Sequence, residues 1–323
     1  MRKALVVGIN HYPDVGHLHG CVADATAVID VLSWHMDGNA NFNVKHLIGA
    51  NADSPIDRRS LRAQVVSLFA GDEDIVLFYF AGHGHIDNAG GYLLTSDSRD
   101  GHDGLSLDEV LQFANESQAK NKILIFDSCF SGAAGAPVAV GKRALLSDGM
   151  TIMAASGRDQ TAAEMNGAGV FTALLVDALK GGAASLLGDI TPGSIYAHID
   201  ISLGAWEQRP VFKTNVKQFV SLRRVEPAIS VLALRQLTSL FPKPRDEFPL
   251  NPSYEPKPAK RDPKFPPDPQ NVMKFEVLQQ LNRLNLVVPV GAEHMYFAAM
   301  KSKSCRLTEL GVHYWNLVKK CRI

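Results

Sequence analysis

The chain has 323 residues, which is enough for about two domains, and 46% of them are hydrophobic while 20% are charged. This is the composition of an ordinary globular protein, and it excludes a chain that is disordered, collagen-like or coiled-coil throughout. The 33 basic and 33 acidic residues cancel, so net charge favours neither nucleic acid nor an anionic membrane as a partner.

The cysteines and the apolar runs indicate in which cellular compartment the protein is expected. No CxxC pair is present, so a zinc ribbon is not expected, and four cysteines in a chain of this length do not form a disulfide scaffold. The first apolar run is too short for a secretory signal, and no run approaches the ~20 residues of a membrane span. We expect a cytoplasmic protein with free thiols, no metal and no membrane partner.

The first 225 residues alternate short apolar runs with helical patterns. Strands are predicted at 4–9, 42–48, 75–80, 123–126 and 150–155, with 209–212 as a sixth. Helices are predicted near 21–34, 57–70, 106–117, 169–180 and 192–205. This alternation predicts an α/β fold with a mainly parallel sheet covered on both faces, and ligands in such folds lie beyond the carboxyl ends of the strands.

Two of these helices begin with recognisable capping sequences. Ser106 followed by Leu107, Asp108 and Glu109 has the form of a capping box. Thr191 followed by Pro192 places proline at the first helical turn.

A change in composition separates the last part of the chain. Residues 241–270 contain ten of the 17 prolines, and proline fixes φ and removes a backbone donor. We therefore predict three parts: a domain over 1–225, a connecting helix and Pro-rich linker over 226–270, and a small basic module over 271–323.

The module at 271–323 has eight basic and three acidic residues. Helical patterns at 272–288 and 307–321 flank a short strand-like segment, which predicts a small α+β, winged-helix-like fold. Its charge is compatible with DNA but does not require it. We expect a regulatory protein partner at this module rather than nucleic acid.

A histidine and a cysteine follow two of the predicted strands. The strand at 75–80 leads to His83, and the strand at 123–126 leads to Cys129. A cysteine nucleophile needs a nearby imidazole, which favours the thiolate and later protonates the leaving amine. The backbone amides of Gly84 and Cys129 could form an oxyanion hole.

Six segments, in this order, resemble the caspase–metacaspase family of cysteine peptidases over roughly residues 1–220. They are LVVGINHYPD (5–14), LHGCVADA (18–25), FYFAGHG (78–84), ILIFDSCFSG (123–132), ASGRDQTAAE (155–164) and RPVFK (209–213). The resemblance is greater to metacaspases and their bacterial relatives than to animal caspases. It implies a caspase-like α/β/α sandwich with a six-stranded sheet, a peptide or protein substrate, and a catalytic dyad of His83 and Cys129.

The same resemblance points to a specificity pocket. Asp127 shares a strand face with Cys129, and Asp24 lies one helical turn after Cys21. In metacaspases the matching residues line the primary pocket, and two carboxylates there favour Arg or Lys in the substrate. A departure from the metacaspase pattern is Ala81, where those enzymes often carry serine. Ser156 and Asp159 are further candidates for substrate binding.

Calcium binding and self-cleavage are two more features of metacaspases. Many need calcium, but the acids of loop 97–109 are irregularly spaced, and the stretch 133–141, where these relatives often carry Asp, has no acid. Calcium is therefore not supported, and we expect no cofactor. The small-residue segment 133–148 contains Lys142 and Arg143, which are candidate sites of self-cleavage.

From these features together we expect an endopeptidase that cleaves after Arg or Lys and is regulated through its C-terminal module. Bacterial caspase-like peptidases often carry appended modules in immune or cell-death systems, so the resemblance suggests a role of that kind, such as antiviral defence. Two alternatives remain open: a catalytically silent caspase-like scaffold, and a DNA-binding regulator that acts through residues 271–323.

Overall fold

A computed structural model of the chain describes residues 1–86, 90–128, 130–131, 146–155, 164–165, 168–203, 210–256 and 262–323. These residues form two compact units, Met1–Glu226 and Pro227–Ile323. In the parts of the chain that the structure describes, no helix has the length and apolar character needed to cross a membrane.

The first unit is built around a six-stranded sheet. Its strands are β1 (Arg2–Ile9), β2 (Asn43–Gly49), β3 (Ile75–Ala81), β7 (Asn121–Asp127), β9 (Met150–Ala154) and β13 (Val211–Asn215). They lie in the order β13-β9-β7-β3-β1-β2. The first five run parallel, and β13 pairs antiparallel with β9. The predicted mainly parallel sheet is confirmed.

Short strands lie beside this sheet. They are β4 (Gly84–Ile86), β5 (Gly91–Leu93), β6 (Leu105–Ser106), β8 (Phe130–Ser131), β10 (Glu164–Met165), β11 (Ala168–Gly169), β12 (Asp189–Ile190) and β14 (Arg223–Arg224). Four of them, β6-β5-β4-β8, form a second small sheet that begins directly after β3 and β7 end.

Helices cover both faces of the large sheet, as predicted. They are α1 (Cys21–Ser33), α2 (Arg58–Phe69), α3 (Leu107–Glu116), α4 (Val170–Asp177, continued by a π-helical turn at Ala178–Gly182) and α5 (Pro192–Ser202). One buried cluster joins the sheet to α2 and α3, and the other joins it to α1, α4 and α5. Successive strand residues point to opposite faces, so each apolar strand contributes to both clusters.

The two predicted helix starts have different outcomes. Thr191 caps α5 through a complete capping box with Ser194, and Pro192 occupies the first turn. The capping box predicted at Ser106 is wrong, because the Ser106 side chain makes no capping hydrogen bond. Ser106 instead lies in β6, whose backbone pairs with β5.

The second unit contains α6 (Val231–Arg235), α7 (Leu237–Leu240), β15 (Glu247–Pro249), a 3₁₀ turn (Pro252–Tyr254), α8 (Pro269–Arg283), β16 (Val287–Val290), α9 (Met295–Met300), β17 (Ser304–Leu307) and α10 (Glu309–Lys319). The strands form an antiparallel sheet in the order β15-β17-β16. Residues 271–323 thus contain more elements than the predicted helix, strand and helix.

The first part of the Pro-rich segment, residues 241–256, carries apolar side chains that pack within the second unit. Four aromatic rings contact one another edge to face in series. Their centroids are 6.0 Å apart for Phe241–Phe248, 5.8 Å for Phe248–Tyr254 and 6.3 Å for Tyr254–Phe275. The Trp315 indole donates a buried hydrogen bond of 2.7 Å to the Phe241 carbonyl. Residues 241–256 are therefore packed structure.

The prolines are accommodated at positions that need no backbone donor. Pro249 lies in β15 and Pro289 lies in β16, which are the two edge strands of the sheet. Pro269 occupies the first turn of α8, where Asp268 caps the helix. Proline density at these sites does not prevent regular structure.

This packing predicts where the second unit can be cut. A fragment of residues 227–323 should unfold cooperatively, whereas residues 271–323 alone should show no cooperative transition. The shorter fragment loses the buried Phe241 and Tyr254 and the partly buried Phe248, and full burial of a ring such as Phe241 alone is worth roughly 1.5–3 kcal/mol in a domain of marginal stability.

Thermal unfolding of both fragments, followed by circular dichroism, checks this. Equal melting temperatures for the two fragments would show that the Pro-rich segment adds nothing to the fold.

Candidate active site

The candidate site lies at the carboxyl edge of the large sheet. In the register of the parallel strands, Ala81 of β3 lies beside Asp127 of β7. His83 and Cys129 therefore each follow the end of their strand by two residues, and these strands are neighbours. Adjacent parallel strands bring the residues that follow them to the same edge of the sheet.

Cys129 itself lies outside the described residues, but both of its chain neighbours are described. Ser128 is buried, and Phe130 pairs in parallel with Gly84, the residue that follows His83. The Gly84 backbone, proposed for the oxyanion hole, thus lies beside the backbone of residue 130.

The imidazole of His83 is oriented by a backbone carbonyl. Its Nε2 lies 2.8 Å from the carbonyl oxygen of Gly16. A carbonyl oxygen can only accept, so Nε2 carries the hydrogen and Nδ1 remains as the proton acceptor. Burial lowers the pKa of His83, which favours the neutral ring, and the hydrogen bond with the Gly16 carbonyl partly opposes this.

The loop that carries Gly16 is attached to His83 by Tyr12. The buried Tyr12 hydroxyl accepts a hydrogen bond of 3.0 Å from the His83 backbone N–H, and the two rings meet at 4.7 Å between centroids. The Tyr12 N–H in turn donates to Nδ1 of His17, which closes the loop around Gly16. Sequence analysis did not identify this arrangement, although Tyr12 falls within the segment LVVGINHYPD.

The structure brings the carboxylates of Asp24 and Asp127 close together. A carbon placed on Gly169 in the position of Cβ would lie 3.1 Å from Oδ2 of Asp127 and 3.3 Å from Oδ2 of Asp24. The two carboxylates therefore converge on Gly169, whose N–H donates to both oxygens of Asp24 at 3.2 and 3.3 Å. Asp24 is buried and Asp127 is partly exposed.

A chain of hydroxyl groups supports Asp127. Thr172 Oγ1 donates a 2.5 Å hydrogen bond to Oδ2 of Asp127, and the Tyr79 hydroxyl lies 2.6 Å from the same Thr172 oxygen. Burial raises the pKa of Asp127, while hydrogen bonds from the Thr172 side chain and backbone lower it. Neither Tyr79 nor Thr172 was identified from the sequence.

The other predicted pocket residues have mixed outcomes. Cys21 is partly buried at the start of α1, one turn from Asp24, and Ala81 is buried at the end of β3. The substrate-binding candidates Ser156 and Asp159 and the self-cleavage candidates Lys142 and Arg143 lie outside the described residues.

The acidic loop at 97–109 uses its carboxylates for local hydrogen bonds. Asp97 accepts from the Arg58 N–H, Asp100 from the His102 N–H, and Asp103 from the Arg99 N–H. Among the described residues, no group of three or more His, Cys, Asp or Glu side chains is arranged to hold a metal ion.

Comparison with known families decides the classification. The sequence model of the caspase domain matches residues 1–220. The chain belongs to the caspase family. Members of this family are cysteine peptidases, so the first unit is a domain of cysteine-peptidase type.

Two further comparisons were made with this caspase-domain chain. Among solved structures it is similar to pro-Sf-caspase-1, with 11% sequence identity and a TM-score of 0.47, over 70% of this chain and 91% of that one. No curated protein matches the sequence.

The backbone conformation of Gly16 predicts how a substitution there affects His83. Gly16 has φ of +98°, a conformation that side chains oppose, so Gly16→Ala should displace its carbonyl from His83. We expect peptidase kcat to fall about tenfold or more, since the imidazole loses its orientation.

Gly38→Ala is the matched control. Gly38 has φ of +82° and, like Gly16, no atom within 4 Å of a Cβ position, so the backbone strain is similar. Equal losses of kcat in the two variants would assign the effect to general destabilisation and remove the role of the Gly16 carbonyl.

Proposed function

We propose that the protein is a cysteine endopeptidase that cleaves protein or peptide substrates after Arg or Lys. The observation that carries this proposal is the convergence of the Asp24 and Asp127 carboxylates on Gly169, at the same sheet edge as His83. Carboxylates in a partly desolvated pocket attract a guanidinium or ammonium group and repel an acidic side chain.

In the proposed reaction, Nδ1 of His83 accepts the thiol proton of Cys129, and the sulfur attacks the carbonyl carbon of the scissile bond. The backbone N–H groups of Gly84 and Cys129 stabilise the oxyanion of the tetrahedral intermediate. The imidazolium then gives its proton to the leaving amine, which leaves a thioester on Cys129. Water, activated by the same imidazole, hydrolyses the thioester and regenerates the thiol.

The Gly16 carbonyl supports this cycle. It keeps the hydrogen on Nε2 in the neutral ring and accepts a hydrogen bond from the imidazolium when Nδ1 is protonated. A third carboxylate is then not needed to orient the histidine. The lowered pKa of His83 favours release of the proton to the leaving group.

The proposal predicts the side chain accepted at P1, the residue before the cleaved bond. We expect turnover of fluorogenic peptides with Arg or Lys at P1, none with Asp or Leu, and no activity in Cys129→Ala. Asp24→Asn and Asp127→Asn should each raise KM for the basic peptides about a hundredfold, because each removes a charge facing the substrate.

Asp30→Asn is the matched control, since Asp30 lies on the same helix, α1, and is exposed. Wild-type KM in both pocket variants would refute the assignment of the pocket. Complete inactivity of the intact protein under all activating conditions would favour the silent scaffold.

Self-cleavage follows from the same specificity. Lys142 and Arg143 carry the side chains that the acidic pocket should accept, so we expect wild-type protein to be cut at one of them and Cys129→Ala to remain whole. Lys142→Ala combined with Arg143→Ala should abolish the cut. Intact-mass spectrometry after incubation with an active preparation checks this.

Arg58→Ala combined with Arg59→Ala is the control, because these exposed residues form a second basic pair in the first turn of α2. Protein that stays uncut while it turns over peptide substrate would contradict self-cleavage without affecting the peptidase.

The second unit is proposed to bind a regulatory protein, in the context of a bacterial immune or cell-death response. Its α9 exposes Tyr296 and Phe297, whose rings meet at 5.4 Å between centroids, with the Lys301 ammonium over Phe297. Exposed aromatic pairs beside a cation are typical of protein contact surfaces. The scaffold and DNA-binding alternatives both predict that this unit functions without Cys129.

A further inference from the structure

Three side chains form a hydrogen-bonded series beneath the candidate pocket. The Thr172 hydroxyl donates its single hydrogen to Oδ2 of Asp127 at 2.5 Å. The Tyr79 hydroxyl, 2.6 Å away, must then donate to Thr172 Oγ1. Both donors are enclosed, with Tyr79 at 0% and Thr172 at 1% exposure, so water does not compete for these bonds.

The same short segment holds both pocket carboxylates. Gly169 precedes α4 and donates its N–H to Asp24, while Thr172, in the first turn of α4, binds Asp127. The acids come from α1 and β7, which are far apart in sequence. Residues 169–172 thus fix the separation of the two carboxylates as well as their orientation.

We propose that Thr172 is a positioning residue for substrate selection, whose hydroxyl, held by Tyr79, orients the Asp127 carboxylate to receive a basic P1 side chain. The inference rests on the proposed function, because it deepens the role of the same pocket. Thr172 contacts Asp127 and acts on the substrate only through it.

Loss of the Thr172 hydroxyl is expected to change the pKa of Asp127. Asp127 binds Thr172 of α4 and lies near Asp24 of α1, and the hydroxyl of Tyr79 on β3 is in turn influenced by Asp127, Asp24 and Cys21. Burial raises the pKa of Asp127, and the bonds from Thr172 lower it. Without the Thr172 hydroxyl the pKa rises further, so a larger share of Asp127 is protonated as pH falls, and binding of Arg or Lys is lost at a higher pH.

The first experiment compares Thr172→Val, which keeps the shape and removes the hydroxyl, with Thr172→Ser, which restores it. With an Arg peptide, Thr172→Val should raise KM by about tenfold to a hundredfold, leave kcat within about twofold, and move the acid limb of kcat/KM to higher pH. Thr172→Ser should have the wild-type KM and pH profile. Tyr79→Phe should raise KM and move the acid limb to higher pH, as Thr172→Val does, but by a smaller factor.

Thr151→Val is the matched control. Thr151 is fully buried and pairs its hydroxyl with Thr214 at 2.9 Å, on β9 and β13, so it loses an equivalent hydroxyl pair that has no contact with Asp127. Equal KM values and pH profiles for Thr172→Val, Thr151→Val and wild type would overturn the proposal.

The second experiment does not depend on catalysis. In the full chain carrying Cys129→Ala, the carboxyl ¹³C signal of Asp127, assigned by its loss in Asp127→Asn, is titrated with and without Thr172→Val. A higher pKa in the Thr172→Val protein supports the proposal, and an unchanged pKa overturns it. If Thr172→Val fails to fold by circular dichroism, Tyr79→Phe takes its place in the same titration.

The two experiments separate the possible failures. If wild type does not select Arg or Lys while the titration still shifts, the proposed specificity fails and the coupling of Thr172 to Asp127 stands. If wild type selects basic residues and the titration does not shift, Thr172 is not the positioning residue.

Discussion

The parallel pairing of β1, β3 and β7 brings Gly8, Ala81 and Asp127 side by side at one edge of the sheet. In the sequence, His83 and Cys129 follow β3 and β7 by two residues each, so the register brings the strand ends that lead to them to one edge of the sheet. A shift of one residue would turn Asp127 toward the opposite face and separate it from α1 and α4. The site thus depends on backbone pairing within the apolar sheet before it depends on any polar contact.

The proposed pocket has to hold two carboxylates in their charged form although Asp24 is buried and Asp127 is only partly exposed. Desolvation opposes this, as the raised pKa of Asp127 indicates. Donors at the start of α4 offset the penalty: the Gly169 N–H for Asp24 and the Thr172 hydroxyl for Asp127. The positive end of the helix dipole acts in the same direction. A substrate cation completes this balance, which gives a physical reason for the proposed preference for Arg and Lys.

The second unit shows how local and tertiary preferences can differ. Among the residues of 241–270 that the structure describes, 241–256 and 262–270, there is no long helix before α8 and no central strand, as the proline density indicates. Proline density does not indicate whether the segment is packed. The rings of Phe241, Phe248 and Tyr254 decide that, because they meet Phe275 of α8, a residue distant in sequence.

The sequence by itself determined the alternation of strands and helices, the mainly parallel sheet and the positions of His83 and Cys129 after two of its strands, whereas the pairing of Asp24 with Asp127 was expected only from the resemblance to metacaspases. Apolar periodicity and side-chain chemistry at fixed offsets are local signals that can be read along a chain. Only the tertiary structure placed the Gly16 carbonyl on His83, because a backbone carbonyl has no sequence signature beyond the glycine that carries it. Likewise, Gly169 and Thr172 act on carboxylates 145 and 45 residues away in the chain. Such contacts arise from the packing of α4 against α1 and the sheet, and no local pattern specifies which residues then meet.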